Sequence, residues 1–151
     1  MTIPDEPLVP AADKLVAGDD SPRHREVEAQ IRHYFATWSD GDIDGYGRCF
    51  HPQGVIQLQD QKGDIQTFLR GPFVEWQRQQ GRRATEKLVE TPETIEIVFE
   101  EDVARVSVLW KLRAGPRTDW GYDHFTLVRQ AGRWQIVHLL FYSIPEPPRK
   151  R

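Results

Sequence analysis

Residues 122–143 read YDHFTLVRQAGRWQIVHLLFYS, and this stretch decides the fold. Apolar and polar residues alternate on both sides of a central Ala-Gly dipeptide, a pattern typical of two antiparallel strands joined by a tight turn. We predict strands at 119–129 and 134–142, with Gln130 paired to Arg133. In this register both faces of the hairpin carry apolar side chains, so both faces should be covered.

The chain upstream of this hairpin has the pattern of helices followed by further strands. The spacing of apolar residues predicts helices from Pro22 to Asp40, from Asp42 to Phe50 and from Thr67 to Gln80. Extended segments are expected at 55–59, 63–66, 94–99 and 103–112. Helices first and a meander of strands afterwards predict an α+β domain. In this domain a strongly curved, cone-shaped antiparallel sheet packs on about three N-terminal helices and encloses a pocket.

The composition excludes several classes of partner. With 20 Lys and Arg against 23 Asp and Glu, the net charge is −3, and the last three residues are the one basic run. Cys49 is the single cysteine, so neither an internal disulfide nor a thiolate metal cluster can form. No segment approaches the roughly 20 apolar residues that cross a bilayer, and the first residues lack the pattern of a secretory signal. We therefore expect a cytoplasmic protein that binds neither nucleic acid nor membrane.

Three parts of the chain differ in character. Residues 1–20 combine three prolines with several acids and almost no aromatic residues, which predicts a flexible N-terminal arm. Ser21 is a good helix cap and precedes a proline, so the folded domain is expected to span 21–144. Residues 145–151 are expected to form a solvated C-terminal tail.

The two apolar faces of the sheet also predict an oligomer. The helices of one subunit can cover one face, which leaves the other face as a large apolar patch. Closed two-fold pairing is the commonest way to bury such a patch, so we expect a homodimer through the sheet face.

Two segments resemble a known superfamily. Residues 34–58, YFATWSDGDIDGYGRCFHPQGVIQL, end a helix in Asp-Gly-Asp and lead through Phe-His-Pro into a strand. Together with the Gly-x-Trp-x-Ile-Val order of the hairpin, they are similar to nuclear transport factor 2-like proteins in their SnoaL-like and lumazine-binding branches. The resemblance implies a cystatin-like fold. It implies no single activity, because the superfamily includes ketosteroid isomerases, dehydratases, polyketide cyclases and a transport factor without a catalytic role.

Asp123 and His138 are the candidate catalytic pair. In the register set by the turn, Phe125 faces His138, so Asp123 and His138 are diagonal neighbours about 7–8 Å apart between backbones. An Asp that orients a His in an apolar surround is a general acid–base arrangement. The same pair could instead fix the strand register as a buried, hydrogen-bonded couple. A shift of one residue would separate the two side chains and put His124 inside.

Six aromatic residues are candidate walls of the pocket, because each lies on the apolar face of its element. They are Trp38, Tyr46, Phe50, Trp76, Trp110 and Tyr142. Ligand pockets are mostly apolar and aromatic with few polar groups. Core packing is the competing interpretation, and it is the stronger one for Phe50 and Trp76. The five histidines show no paired spacing typical of a metal site, so we expect neither a metal nor a cofactor.

These observations predict a domain that binds a small, largely apolar or aromatic molecule, with Asp123 and His138 as its polar contacts. In an enzymatic version, one of these two residues takes a proton from a carbon next to a carbonyl, as in the isomerases, dehydratases or cyclases that the resemblance implies. The sequence leaves open whether the protein is an enzyme. The alternative is a non-catalytic protein-interaction or dimerisation module.

Overall fold

The computed structural model describes residues 21–149. Its three helices are α1 (Pro22–Ser39), α2 (Ile43–Arg48) and α3 (Arg70–Arg83). Its six strands are β1 (Phe50–Gln59), β2 (Ile65–Leu69), β3 (Leu88–Glu100), β4 (Val103–Ala114), β5 (Arg117–Gln130) and β6 (Arg133–Ile144). The predicted arm at 1–20 and the last two residues of the predicted tail lie outside the described residues.

The six strands form one mixed sheet in the order β2-β1-β6-β5-β4-β3. The predicted α+β class with about three helices is confirmed. The expectation of a wholly antiparallel sheet is wrong, because β1 pairs with β6 in parallel. Parallel neighbours need a long crossover, and here the crossover contains α3 and the strands β2 to β5. The last strand therefore lies inside the sheet, between β1 and β5.

Helix α1 begins at a capped end and buries one face. The Ser21 hydroxyl accepts a hydrogen bond from the backbone N–H of His24 (3.3 Å), and Pro22 occupies the first turn. Gly41 follows the helix with a φ of +76°, a conformation that glycine adopts without strain. Buried residues of α1 share one hydrophobic core with inward-facing residues of the sheet, including Phe125 of β5. We call this face of the sheet the inner face and the opposite one the outer face.

The segment around β2 differs from the prediction. The sequence predicts a helix from Thr67, but Phe68 and Leu69 belong to β2 and α3 begins at Arg70. The physical reason is Pro72, which is tolerated in the first turn of a helix and disrupts its interior. Leu69, expected on the apolar face of a helix, is instead 62% exposed.

The β5–β6 hairpin forms at the predicted turn. Ala131 and Gly132 both have a positive φ, of 52° and 75°, as a two-residue turn of type I′ requires. Gln130 pairs with Arg133, in agreement with the sequence-based register. The hairpin is therefore set locally by its turn.

A β-bulge then interrupts β6 at Val137. Leu127 pairs with Ile136 but Thr126 pairs with His138, so Val137 has no partner in β5. Because neighbouring residues of a strand point to opposite faces, one extra residue moves everything beyond it to the face opposite to the predicted one. The predicted register is wrong for the part of β6 beyond this bulge.

Strand β3 has a second irregularity, between Pro92 and Thr94. On one side of it Ile95 pairs with Val108, and on the other side Glu90 pairs with Leu112. The inward-facing residues of β3 thus change from even to odd numbers along the strand. Within residues 21–149, no helix is long and apolar enough to cross a membrane.

Candidate functional site

A pocket of about 270 Å³ lies between the helices and the inner face of the sheet, and we call it the inner pocket. Aromatic side chains from the helices line one side: Tyr34, Trp38, Tyr46 and Trp76. The sheet contributes two acids and two further aromatic residues: Glu90, Trp110, Asp123 and Phe141. Two more open depressions, of about 480 and 580 Å³, lie beside it and share some of its lining residues. We place the candidate site in the inner pocket because buried titratable groups line it.

Asp123 of β5 is the central polar group of the inner pocket. Its side chain is on the inner face, opposite Val108 of β4, and the residue is 3% exposed. The indole N–H of Trp110 donates a hydrogen bond to the carboxyl group, whereas Oδ2 has no hydrogen-bond partner among the described residues. Burial raises the pKa of Asp123 well above its usual value, the charge of Glu90 raises it further, and the bond from Trp110 opposes the shift. The pKa of Asp123 is therefore shifted toward the protonated form, and one carboxyl oxygen has no partner among the described residues.

Gly121 makes room for the indole that holds Asp123. It pairs with Trp110 across β4 and β5. A Cβ atom at Gly121 would collide with the ring of Trp110 and with the backbone oxygen of Tyr142. The absence of a side chain at this position therefore lets the indole lie over the β5 backbone, within reach of the carboxyl group of Asp123.

Glu90 is the second acid of the inner pocket. Its backbone N–H donates to Oγ of Ser39 (2.9 Å), and the same hydroxyl donates to its carbonyl oxygen (3.1 Å), which ties the end of α1 to β3. The residue is half-buried as a whole because β3 is an edge strand, but its carboxyl group lines the pocket. Burial raises the pKa of Glu90 to about 8. Glu90 can therefore gain or lose a proton close to neutral pH.

Tyr34 and Tyr46 form a hydroxyl pair beside these acids. Their hydroxyl oxygens are 2.9 Å apart, and their rings are 4.8 Å apart between centroids. Burial raises the pKa of both phenols well above 10, and the charges of Asp123 and Glu90 add to the shift. Both tyrosines therefore stay protonated and act as neutral hydrogen-bonding groups.

The aromatic walls are held by specific contacts. The indole N–H of Trp38 donates to Oε1 of Gln77 (2.9 Å), which links α1 to α3. Trp76 stacks on Phe68 with ring centroids 5.5 Å apart and planes inclined by 24°. Both indoles are half-buried, so part of each ring is available to a bound molecule.

His138 does not lie in the inner pocket. The bulge at Val137 places it on the outer face, where its Nε2 is 2.9 Å from Oε1 of Gln57. The prediction that Asp123 and His138 are neighbours on one face is therefore wrong. The alternative that a register shift brings His124 inside is also wrong. The extra residue lies in β6, so β5 keeps its alternation and Asp123 stays inside with His124 outside.

The outer face holds its own group of polar and aromatic side chains. Nε2 of His124 is 2.9 Å from the hydroxyl of Tyr142, and its Nδ1 is 3.4 Å from Oγ of Ser107. Burial lowers the pKa of His124, so the neutral ring is favoured. The ring of Tyr122 stacks on that of His124 at 6.0 Å between centroids.

The structure separates the six predicted aromatic wall residues into three groups. Four of them line the inner pocket: Trp38, Tyr46, Trp76 and Trp110. Phe50 is fully buried in the core, so the competing interpretation of core packing describes it better. Tyr142 is on the outer face beside His124, contrary to the prediction, because it also follows the bulge.

Sequence reasoning missed Glu90 and the polar role of Tyr34. Tyr34 lies on the apolar face of α1, and its partner Tyr46 is on a separate helix, so their contact required the packing of two elements. Glu90 precedes the irregularity of β3, and alternation counted backwards from Ile95 places it on the outer face. The one available signal was the spacing of Leu88 and Glu90. Residues two apart in a strand share a face, so Glu90 lies on the same inward side as the apolar Leu88 in the first part of β3.

Neither a metal site nor a reactive thiol is evident in the described part of the chain. No group of three or more potential metal ligands is found within residues 21–149. Cys49 is buried, its thiol lies 3.5 Å from the carbonyl oxygen of Gly45, and burial raises the pKa of this thiol to about 11. The thiol is therefore protonated at neutral pH.

Comparison with known families gives one match that covers most of the chain. The family described as "Putative lumazine-binding" matches residues 22–142. The matched region includes both acids of the inner pocket and all six strands except the last residues of β6. No curated protein matches the sequence significantly.

Solved structures with the same fold come from several bacteria. A nuclear transport factor 2-like protein of unknown function from Pseudomonas putida has a TM-score of 0.68 at 18% identity, covering 80% of this chain and 85% of its own. A "putative dehydratase" of the nuclear transport factor 2-like family from Streptomyces avermitilis has a TM-score of 0.69 at 12% identity, with coverages of 83% and 100%. A protein with a cystatin-like fold from Nostoc punctiforme has a TM-score of 0.66 at 12% identity, with coverages of 83% and 93%. At these identities the similarity establishes the fold and no activity.

Proposed function

Since the chain belongs to the lumazine-binding family of nuclear transport factor 2-like proteins, we propose that it binds a small, flat, largely apolar or aromatic molecule in the inner pocket. The single observation that carries this proposal is the free carboxyl oxygen of Asp123. Buried polar groups nearly always find a hydrogen-bond partner, and Oδ2 of Asp123 has none among residues 21–149. A bound molecule would supply the missing partner.

The aromatic lining supports a flat ligand. Trp38, Trp76 and Trp110 present indole rings to the same pocket. Stacking on such rings adds about 0.5–1.5 kcal/mol per aromatic pair beyond the burial of apolar area. The pocket volume of about 270 Å³ is close to the lower end of the range for ligand pockets. The ligand is therefore expected to be no larger than two or three fused rings.

A pocket-blocking variant tests this function. Ser143 lines the inner pocket and is exposed, so Ser143→Trp should fill the entrance without disturbing the core. Native mass spectrometry of freshly purified protein is expected to show a bound small molecule in the wild type and none in this variant. Thr118→Trp, at an exposed position of β5, is the matched control and should retain the ligand.

Two outcomes would contradict the binding function. Equal occupancy in Ser143→Trp and in the wild type would place the ligand elsewhere. If no bound mass is found, a thermal-shift screen with two-ring aromatic compounds decides the question, because a ligand raises the melting temperature by mass action. The absence of a shift with every compound would favour the non-catalytic interaction module.

A proton-transfer reaction is the second candidate function. The observation that favours it is that Glu90, with its pKa of about 8, lines the same pocket as Asp123, whose pKa burial also raises. Ionised Glu90 could take a proton from a carbon next to a carbonyl, while neutral Asp123 donates a hydrogen bond to the carbonyl oxygen. Return of that proton to another carbon would complete an isomerisation. In this version Glu90 replaces His138 as the partner of Asp123.

We also propose that two copies of the chain associate through the outer face of the sheet. The outer face presents half-buried aromatic side chains from two neighbouring strands, among them Trp120, Tyr122 and Tyr142, beside the buried Leu109 of β4. An apolar sheet face of this kind is best covered by its own copy across a two-fold axis. The dimer would leave the inner pocket of each subunit unobstructed, because the pocket is on the opposite face.

A further inference from the structure

The inner pocket holds two carboxyl groups that no positive charge from residues 21–149 matches. Asp123 and Glu90 both line it, and each has a raised pKa because burial disfavours the charged form. Among residues 21–149, the one basic residue in its lining is Arg117, which is exposed and pairs with Asp119 at 3.1 Å. The described part of the chain therefore supplies no counter-ion inside the pocket, and ionising either acid is costly while the pocket is empty.

The aromatic walls of the pocket also favour a positively charged group, which is the partner that the two acids lack. Three indole rings, those of Trp38, Trp76 and Trp110, line it. The face of an indole attracts a cation within about 6 Å, more strongly than the face of any other side chain, and the attraction grows when water is excluded. Trp38 and Trp110 are also oriented by their N–H groups, which are bound to Gln77 and Asp123.

We propose that the ligand of the inner pocket carries a flat, positively charged nitrogen group, held by the carboxylates of Asp123 and Glu90 and stacked on the indole rings. This inference rests on the proposed binding function and names the chemical class of the ligand. A protonated or quaternary heteroaromatic ring fits it. A carboxylic or phosphoric acid does not, because it would bring a third negative group to two acids.

Binding of such a cation is linked to release of a proton. The titratable groups that face Glu90 across the pocket are the two neutral phenols Tyr34 and Tyr46, the acid Asp123 and, at the rim, Arg117. With its pKa of about 8, Glu90 is largely protonated at pH 6 in the empty pocket. A cation stabilises the carboxylate, so it binds with loss of the proton. The affinity of a permanently charged ligand should therefore rise with pH between 6 and 8.

A pair of probes that differ in charge tests the proposal. N-methylquinolinium is permanently cationic, and quinoline is its uncharged counterpart of nearly equal shape. Isothermal titration at pH 6 and pH 8 is expected to show at least about tenfold tighter binding of N-methylquinolinium at the higher pH. The affinity for quinoline should change less than about twofold between the two pH values.

Three variants assign the effect to the two acids. Glu90→Gln should reduce the pH dependence of N-methylquinolinium binding, and Asp123→Asn should weaken that binding by about tenfold, because it removes a carboxylate that faces the cation. Both variants should bind quinoline as the wild type does, which also shows that the pocket is intact. Glu96→Gln removes an exposed acid from the same strand as Glu90 and should change nothing.

The possible outcomes separate this inference from the function on which it rests. If quinoline binds as tightly as N-methylquinolinium at pH 8, or if Glu90→Gln keeps the pH dependence, the cationic ligand class is wrong while a binding pocket remains. If neither probe binds at either pH, both the ligand class and the binding function are overturned.

Discussion

Glu90 and Asp123 show how a few residues set the electrostatics of the inner pocket. In both residues burial is the largest cause of the raised pKa, and for Asp123 the charge of Glu90 adds to it. A group that is protonated in the folded state and ionised in the unfolded state makes folding less favourable as the pH rises. These acids therefore lower the stability of the empty protein, as is expected of groups that serve a ligand.

The first prediction concerns Glu90→Gln and the pH dependence of stability. The pKa of Glu90 rises from 4.5 to about 8 on folding, so the free energy of unfolding of the wild type should fall between about pH 4.5 and pH 8. The variant lacks this titration and should be more stable than the wild type at pH 8 by about 1–3 kcal/mol, and nearly equal at pH 4.5. The expected gain in stability is smaller than the whole pKa shift of Glu90 would give, because Glu90 is only half-buried.

Urea unfolding of both proteins at pH 4.5, 6 and 8 measures this difference. Glu96→Gln, at an exposed position of the same strand, is the control and should follow the wild type at every pH. A constant difference between Glu90→Gln and the wild type over the whole range would show that folding does not raise the pKa of Glu90.

Single strands decide which side chains reach the inner pocket. The bulge at Val137 moves His138 to the outer face and brings Leu139 to the core, where it is fully buried. The irregularity next to Pro92 likewise shifts the inward–outward alternation of β3, and it places Glu90 on the inner face. An insertion of one residue in a strand thus has a larger effect on the site than most substitutions within it.

A pair of substitutions in β6 tests this register. Leu139→His should destabilise the protein by more than about 3 kcal/mol, because it removes apolar contacts and buries an unpaired ring nitrogen. His138→Leu loses the bond to Gln57 on the outer face and should cost about 1 kcal/mol or less. Thermal and chemical unfolding measure both values. The opposite ranking would mean that β6 pairs without the bulge.

At the scale of the whole molecule, helices cover one face of the sheet, and no helix within residues 21–149 packs on the other face. Helices α1 and α3 pack on the inner face, while the outer face carries Tyr122, Tyr142 and Leu109. The chain mass of 17.6 kDa gives a clear separation between monomer and dimer, since twice that mass is about 35 kDa.

Sedimentation velocity tests the proposed dimer. At tens of micromolar the wild type should sediment as a dimer, and Tyr122→Glu should shift it to monomer, because a charge at the centre of an apolar interface is costly to bury. Ala29→Glu, at an exposed position of α1, should leave the dimer intact. Unchanged far-UV circular dichroism would show that both variants fold. A wild type that remains monomeric at these concentrations would rule out the interface.

Much of the fold follows from the sequence because its signals are local. The cap at Ser21, the turn at Ala131 and Gly132 and the alternation of β4 and β5 each involve residues that are close in the chain. Helical and strand periods are properties of single elements, so their apolar faces can be identified before any packing is known. On this basis the sequence predicts the α+β class, the long strands and the inward position of Asp123.

The sequence by itself thus determined the fold class, the hairpin turn and one acid of the candidate site. The tertiary structure alone decided the second acid, the exclusion of both histidines from the inner pocket and the parallel pairing of β1 with β6. The physical reason is that a β-bulge depends on how a strand fits its neighbour. It changes which face a side chain occupies without altering the local pattern of apolar and polar residues.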